Sequence, residues 1–121
     1  MIAGSAQHPI HGTWKMVSAV LSGEKSPEMV TDNVEIEIAG GTYSVRFQGN
    51  VADHGRIEIP DSGTLQLHGI KGPNQGKTIP ALFQHKGDLL RICYGLDGKL
   101  PPDFKSEVGS PHYLVLYRRK V

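Results

Sequence analysis

The stretch VEIEIAGGTYSVRF, residues 34–47, alternates strictly between apolar and polar side chains. Val34, Ile36 and Ile38 fall on one face, with Glu35 and Glu37 on the other. After Gly40-Gly41 the pattern resumes, with Tyr43, Val45 and Phe47 against Ser44, Arg46 and Gln48. A period of two is the signature of a strand with one buried and one wet face. A Gly-Gly pair between two such runs predicts a β-hairpin. Arg46 is expected near Glu35 or Glu37 on the wet face, as a surface pair that contributes little. A hairpin of this kind must find cover for its apolar face.

The rest of the chain supplies more strands rather than helices. GTWKMVSAVLSG reads as a first strand with Trp14, Met16, Ser18 and Val20 on one face. GRIEIP places Ile57 and Ile59 inward, and GTLQLHGI places Leu65 and Leu67 inward. KTIPALFQH reads as a strand with Pro80 at an edge or bulge. Lys86-Gly87-Asp88 is a tight turn before DLLRICYG, which points Leu90, Ile92 and Tyr94 inward. HYLVLYRRK closes the chain. SPEMVTDN predicts one short helix, with Ser26 as its cap and Pro27 at its first position. The segment LDGKLPPDFKSEVGS is a long connection for a compact domain. Eight strands in hairpin succession predict an all-β fold, an antiparallel up-and-down barrel that removes exposed edges by closing on itself. The whole chain, 1–121, reads as one domain, with residues 1–10 as a loose lead-in.

Composition narrows the function classes. Thirteen basic and twelve acidic side chains give a net charge of +1. That balance argues against a nucleic-acid partner, which calls for a basic excess. No apolar run approaches the roughly 20 residues of a membrane span. The single cysteine, Cys93, excludes an intrachain disulfide framework and fits a reducing compartment. MIAGSAQHPI lacks the charged and apolar regions of a signal peptide, so the expected location is cytoplasmic. Nothing calls for a cofactor.

GPNQGKT, residues 72–78, superficially resembles a phosphate-binding P-loop. Three residues, not four, separate Gly72 from Gly76, and the following TIPALFQH is not helical. The stretch reads as a glycine-built hairpin connection carrying Lys71 and Lys77, with an anion-holding backbone nest as the alternative.

Gly12-Thr13-Trp14 on the first strand and Arg118-Arg119 on the last resemble the lipocalin-like pattern. The resemblance implies a Trp14 ring plugging the closed end, with a guanidinium stacked on it. Alternation lets only one arginine serve. Arg119 shares a face with Tyr113, Val115 and Tyr117, and is preferred. GPNQGKT, Leu90-Arg91-Ile92-Cys93-Tyr94 and Pro101-Pro102-Asp103-Phe104 extend the likeness over nearly the whole chain. Together they resemble a bacterial family of small lipocalin-like, calycin-like domains of unassigned function. Typical lipocalins are longer and often disulfide-bonded.

The six histidines are spread along the chain. His8 and His11 precede the first strand, His68 faces outward, and a metal site would need three or more to converge. Asp53 and His54 are adjacent, so a strand points them to opposite faces and they form no dyad. Asp-His-Gly instead marks a turn or bulge. Cys93 faces away from the interior and reads as a small packed hydrophobe, not a nucleophile. No nucleophile elbow is present. No catalytic residue and no metal ligand is assigned.

The inward set is apolar with a few tyrosine hydroxyls, which suits a small or partly filled pocket. Three readings follow. The first is a binding module for a small apolar or amphipathic ligand, with Tyr43, Tyr94 and Tyr113 offering hydroxyls and Phe47 and Phe83 the walls. The second is a filled barrel acting as a structural or protein-interaction domain. The third is an enzyme using His85 or His112 at the mouth as a general base. Oligomeric state is not readable.

Overall fold

The computed structural model describes residues 8–120. Its strands are β1 (Gly12–Leu21), β2 (Glu24–Lys25), β3 (Val34–Ala39), β4 (Thr42–Phe47), β5 (Asn50–Glu58), β6 (Thr64–Lys71), β7 (Thr78–Lys86), β8 (Leu89–Gly95) and β9 (His112–Arg119). A single turn of helix, α1 (Glu28–Thr31), precedes β3. Every sheet pairing is antiparallel, and β1 pairs with both β3 and β9. The eight strands β1 and β3–β9 therefore close into an up-and-down barrel, as the alternation predicts. β2 is an extra two-residue strand that folds back on the end of β1.

The hairpin β3–β4 forms in the register its pattern demands, with Ile36 opposite Val45 and Ile38 opposite Tyr43. On the outer face Arg46 pairs with Glu37, and Lys120 with Glu35. Inside, Val34, Ile36, Ile38, Tyr43, Leu65, Leu67, Leu90, Ile92 and Val115 join one core around Trp14. β7 accommodates Pro80 because Pro80 has a partner on β6, Gln66, but none on β8, whose pairing begins at Ala81 and Tyr94. The missing N–H therefore falls at a local edge.

Several expectations need correction. In β1 the register against β9 shifts between Met16 and Ser18. This bulge leaves Val17 without a β9 partner and changes the parity. Trp14 and Met16 point inward, but the next buried residue is Ala19, not Ser18 or Val20. α1 is capped by Pro27 with no side-chain hydrogen bond, not by Ser26. Ser26 instead donates its backbone N–H to the Ala19 carbonyl. The strand read as GRIEIP begins earlier, at Asn50, so Asp53 and His54 lie within β5 rather than at a turn. Register shifts on both sides of that strand, at Val45/Arg46 and His54/Gly55, supply the bulge.

The lead-in over residues 1–10 lies outside the described residues up to residue 7. The remainder is not loose. Ile10 is completely buried, and its carbonyl accepts the Trp14 indole N–H at 2.9 Å.

The connection between β8 and β9 packs over the outside of the barrel. Pro101 is buried there, Phe104 lies under the Arg91 guanidinium at 4.1 Å, and the Lys105 carbonyl accepts from the Cys93 thiol at 3.7 Å. Cys93 faces outward from the strand, yet is fully buried by this cover. No helix among the described residues is long and apolar enough to cross a membrane.

Candidate functional site

The two ends of the barrel must be built separately to see where a guest could sit. At one end Trp14 lies opposite Arg119 across the β1–β9 pair, and the guanidinium carbon stands 4.2 Å from the indole centroid. The same guanidinium donates to the His11 carbonyl at 2.8 Å and the Pro9 carbonyl at 2.7 Å. Gly12 makes this possible. Its φ of +132° disfavours any side chain, and a Cβ there would lie 2.7 Å from the arginine Nη1. Gly12, Trp14 and Arg119 thus form one device. The ring plugs the barrel, the cation covers the ring, and the segment His8–His11 is tied across the bottom.

Burial lowers the pKa of His8, with His11 and His85 adding to the effect. His85 stacks edge-on against Trp14 at 5.7 Å and donates to the Gly87 carbonyl. His85 therefore belongs to the closed end, not to the mouth.

The other end is hollow. A cavity of about 370 Å³ opens there, lined chiefly by Met16, Val34, Val45, Phe47, Leu67, Ile79, Tyr94, Leu96, Tyr113 and Tyr117, with Ala52 and Asn74 at one wall. That volume is at the small end of ordinary ligand sites. Of the five residues expected to hold a guest, Phe47, Tyr94 and Tyr113 line this cavity. Tyr43 does not. It is fully buried, and its hydroxyl turns to Asp53. Phe83 lies elsewhere, edge-on to the His8 ring at 6.1 Å. His112 sits on β9, half-buried and outside the lining, with its carbonyl accepting from Ser106.

Of the polar groups at this end, the Tyr94 and Tyr113 hydroxyls are the expected ones and the Tyr117 hydroxyl joins them. Tyr94 and Tyr113 stack with centroids 5.8 Å apart, and the Tyr94 and Tyr117 hydroxyls bond each other at 2.9 Å. Burial raises the pKa of all three. They therefore stay neutral phenols.

Behind the wall stands Asp53, only 6% exposed. Its Oδ2 accepts from the Tyr43 hydroxyl at 3.3 Å and the Asn74 amide at 2.8 Å. Its Oδ1 is buried without a hydrogen-bond partner. Asn74 belongs to the GPNQGKT connection, which is a hairpin loop between β6 and β7. This loop lies hard against β5. Gly72 has φ +102°, and a Cβ there would stand 2.5 Å from the Ala52 carbonyl and 2.9 Å from Asp53 Oδ1. The signal for Asp53 was its parity, because it shares a face with Gly55 and Ile57. Nothing local announces that Asn74 folds back onto it.

The outward histidines are occupied elsewhere. His68 bonds Glu58 and Thr78, and His54 bonds Ser44. Among the described residues no group of three or more His, Cys, Asp or Glu is placed to hold a metal.

A closed eight-stranded antiparallel up-and-down barrel, sealed at one end and with an apolar cavity at the other, is consistent with a calycin-like fold. No protein-family model matches the chain, and no curated protein matches it in sequence.

Proposed function

We propose that this protein is a lipocalin-like binding module of bacterial type that takes a small apolar or amphipathic molecule into the open end of its barrel. The observation that carries this reading is the apolar cavity of about 370 Å³ opposite the Trp14 plug. Its aliphatic and aromatic walls supply burial, and its few hydroxyls supply orientation, which is the usual division of labour in small-molecule sites. Phe47, Tyr94 and Tyr113 are the contact residues, while Gly12, Trp14 and Arg119 hold the floor.

The test combines two measurements. Native mass spectrometry of freshly purified protein looks for a co-purifying apolar mass that denaturation releases. Fluorescence titration then follows a neutral apolar dye, N-phenyl-1-naphthylamine, with the protein and with Val45→Trp, which fills the cavity. The reading expects dye binding that Val45→Trp abolishes while a cooperative thermal melt is retained. Dye binding unchanged in a folded Val45→Trp variant places the guest elsewhere and defeats it.

A second reading has its own support. Phe47, Val51, Ile70 and Leu96 are exposed apolar residues on segments that border the cavity. Such a rim suits a protein-interaction module that meets its partner at the mouth. A bare chain in the mass spectrum, no dye binding, and self-association lost in Val51→Ser would favour it.

A further inference from the structure

The barrel interior is electrostatically one-sided. Among the described residues, the aromatic side chains with their neutral hydroxyls and indole apart, the only buried polar or charged side chains are those of Thr31 and Asp53, and of these only Asp53 is ionisable as an acid or base in the ordinary range. No lysine or arginine is buried with Asp53 to balance it. Both groups that bond its Oδ2 are donors, the Tyr43 hydroxyl and the Asn74 amide, as a carboxylate requires. Its Oδ1 has nothing. That oxygen lies against the Gly72 backbone rather than in the cavity, so Asp53 acts on a guest as an uncompensated charge behind the Asn74 wall.

The carboxylate is also close to the cavity. Ala52 and Asn74, its chain neighbour and its hydrogen-bond partner, both line the cavity wall. The charge of Asp53 is felt at Tyr94, another lining residue, where it adds to the burial that opposes ionisation of the phenol. The remaining lining polar groups are the tyrosines, which are neutral and present aromatic faces. In a low-dielectric pocket, one unbalanced negative charge beside stacked aromatic rings favours a cation and disfavours an anion. The lysines of the neighbouring loop, Lys71 and Lys77, are exposed, so water and salt screen them.

We infer that the guest of this cavity is an amphipathic amine, with its ammonium head at the Asn74 wall in front of Asp53 and its apolar body among Val45, Phe47, Leu67 and Tyr113. The inference rests on the binding reading above and narrows it to a charge class. Asn74 is the positioning residue, because its amide both lines the cavity and holds the carboxylate in place. Gly72 keeps the loop close enough for that bond.

The experiment is isothermal titration at pH 7 with three probes of one shape, 4-phenylbutylamine, 4-phenylbutanol and 4-phenylbutyrate. The protein should bind the amine at least about tenfold more tightly than the alcohol, and the carboxylate most weakly. Asp53→Asn should reduce the amine's advantage over the alcohol to within about twofold. The wild-type series stands alone if that variant does not fold. Equal affinity for amine and alcohol, or a preference for the carboxylate, overturns the inference but leaves a binding barrel. Failure of all three probes to bind defeats the binding reading itself.

Discussion

The two ends of the barrel are made from the same alternating strands, yet one is sealed and the other is hollow. At the sealed end a large ring, a cation and three backbone carbonyls satisfy one another. Trp14 donates to Ile10, and Arg119 covers Trp14 while donating to Pro9 and His11. At the hollow end the polar groups are only partly matched. Two buried tyrosine hydroxyls share one hydrogen bond, and Asp53 keeps an oxygen without a donor. Satisfied groups at one end and spare capacity at the other suit the proposed binding role, since stability and binding then fall on different residues. A protein departs from full local consistency chiefly where it has a function to perform.

The contrast can be broken most forcefully at the plug. Trp14→Ala removes a fully buried ring and should destabilise the fold by about 3–5 kcal/mol in denaturant unfolding. A neutral result would mean that the plug does not anchor the barrel. Arg119→Ala should cost about 1–3 kcal/mol, because the cation–π contact and two hydrogen bonds go together. Arg118→Ala should stay within about 0.5 kcal/mol, since that side chain is exposed. Equal losses from the two arginines would remove the special role of Arg119.

Phe47→Ala sharpens the comparison from the other side. Phe47 is 39% exposed at the mouth, so stability should fall by less than about 1 kcal/mol. Binding of the neutral dye should nevertheless weaken. Stability loss comparable to that of Trp14→Ala, with dye affinity unchanged, would contradict the division of roles.

The hydroxyls offer a pH test. Burial raises the pKa values of Tyr43, Tyr94, Tyr113 and Tyr117, so the folded chain holds these protons to higher pH than the unfolded chain does. Their contribution to stability is complete below about pH 10, the unfolded phenol value, and is lost as pH rises through the folded values. Denaturant midpoints should fall steeply above that pH in the wild type. The fall should be shallower in Tyr94→Phe, which removes one such proton. Identical slopes would mean that Tyr94 is not held neutral by the fold. The smallest effect concerns Cys93. Burial raises its thiol pKa, so alkylation in native buffer should be slow and should become fast only on unfolding.

Much of the barrel was legible because alternation is a direct consequence of strand geometry. Val34 to Phe47 needed no tertiary information to be read as a hairpin. Parity fails wherever the backbone slips. The bulge after Met16 exchanged Ser18 for Ala19 on the inner face, and no residue type in MVSA signals that slip. Ile10 falls in a stretch whose sequence predicts a loose lead-in, because its burial depends on Trp14 and Arg119 across the barrel floor. Phe47, Tyr94 and Tyr113 were found as inward aromatics. Asp53 reads from sequence as part of an Asp-His-Gly turn or bulge, because an inward carboxylate runs against the hydrophobic pattern, and the fold-back of Asn74 onto it is a tertiary event.

A ¹⁵N–¹H NMR titration with the neutral dye locates the guest directly. The account predicts shifts concentrated at Val34, Phe47, Leu67, Ile79, Tyr94, Leu96 and Tyr113, with Trp14 and Leu90 unmoved. Shifts at the plug or on the outer face, with the mouth unchanged, would contradict it.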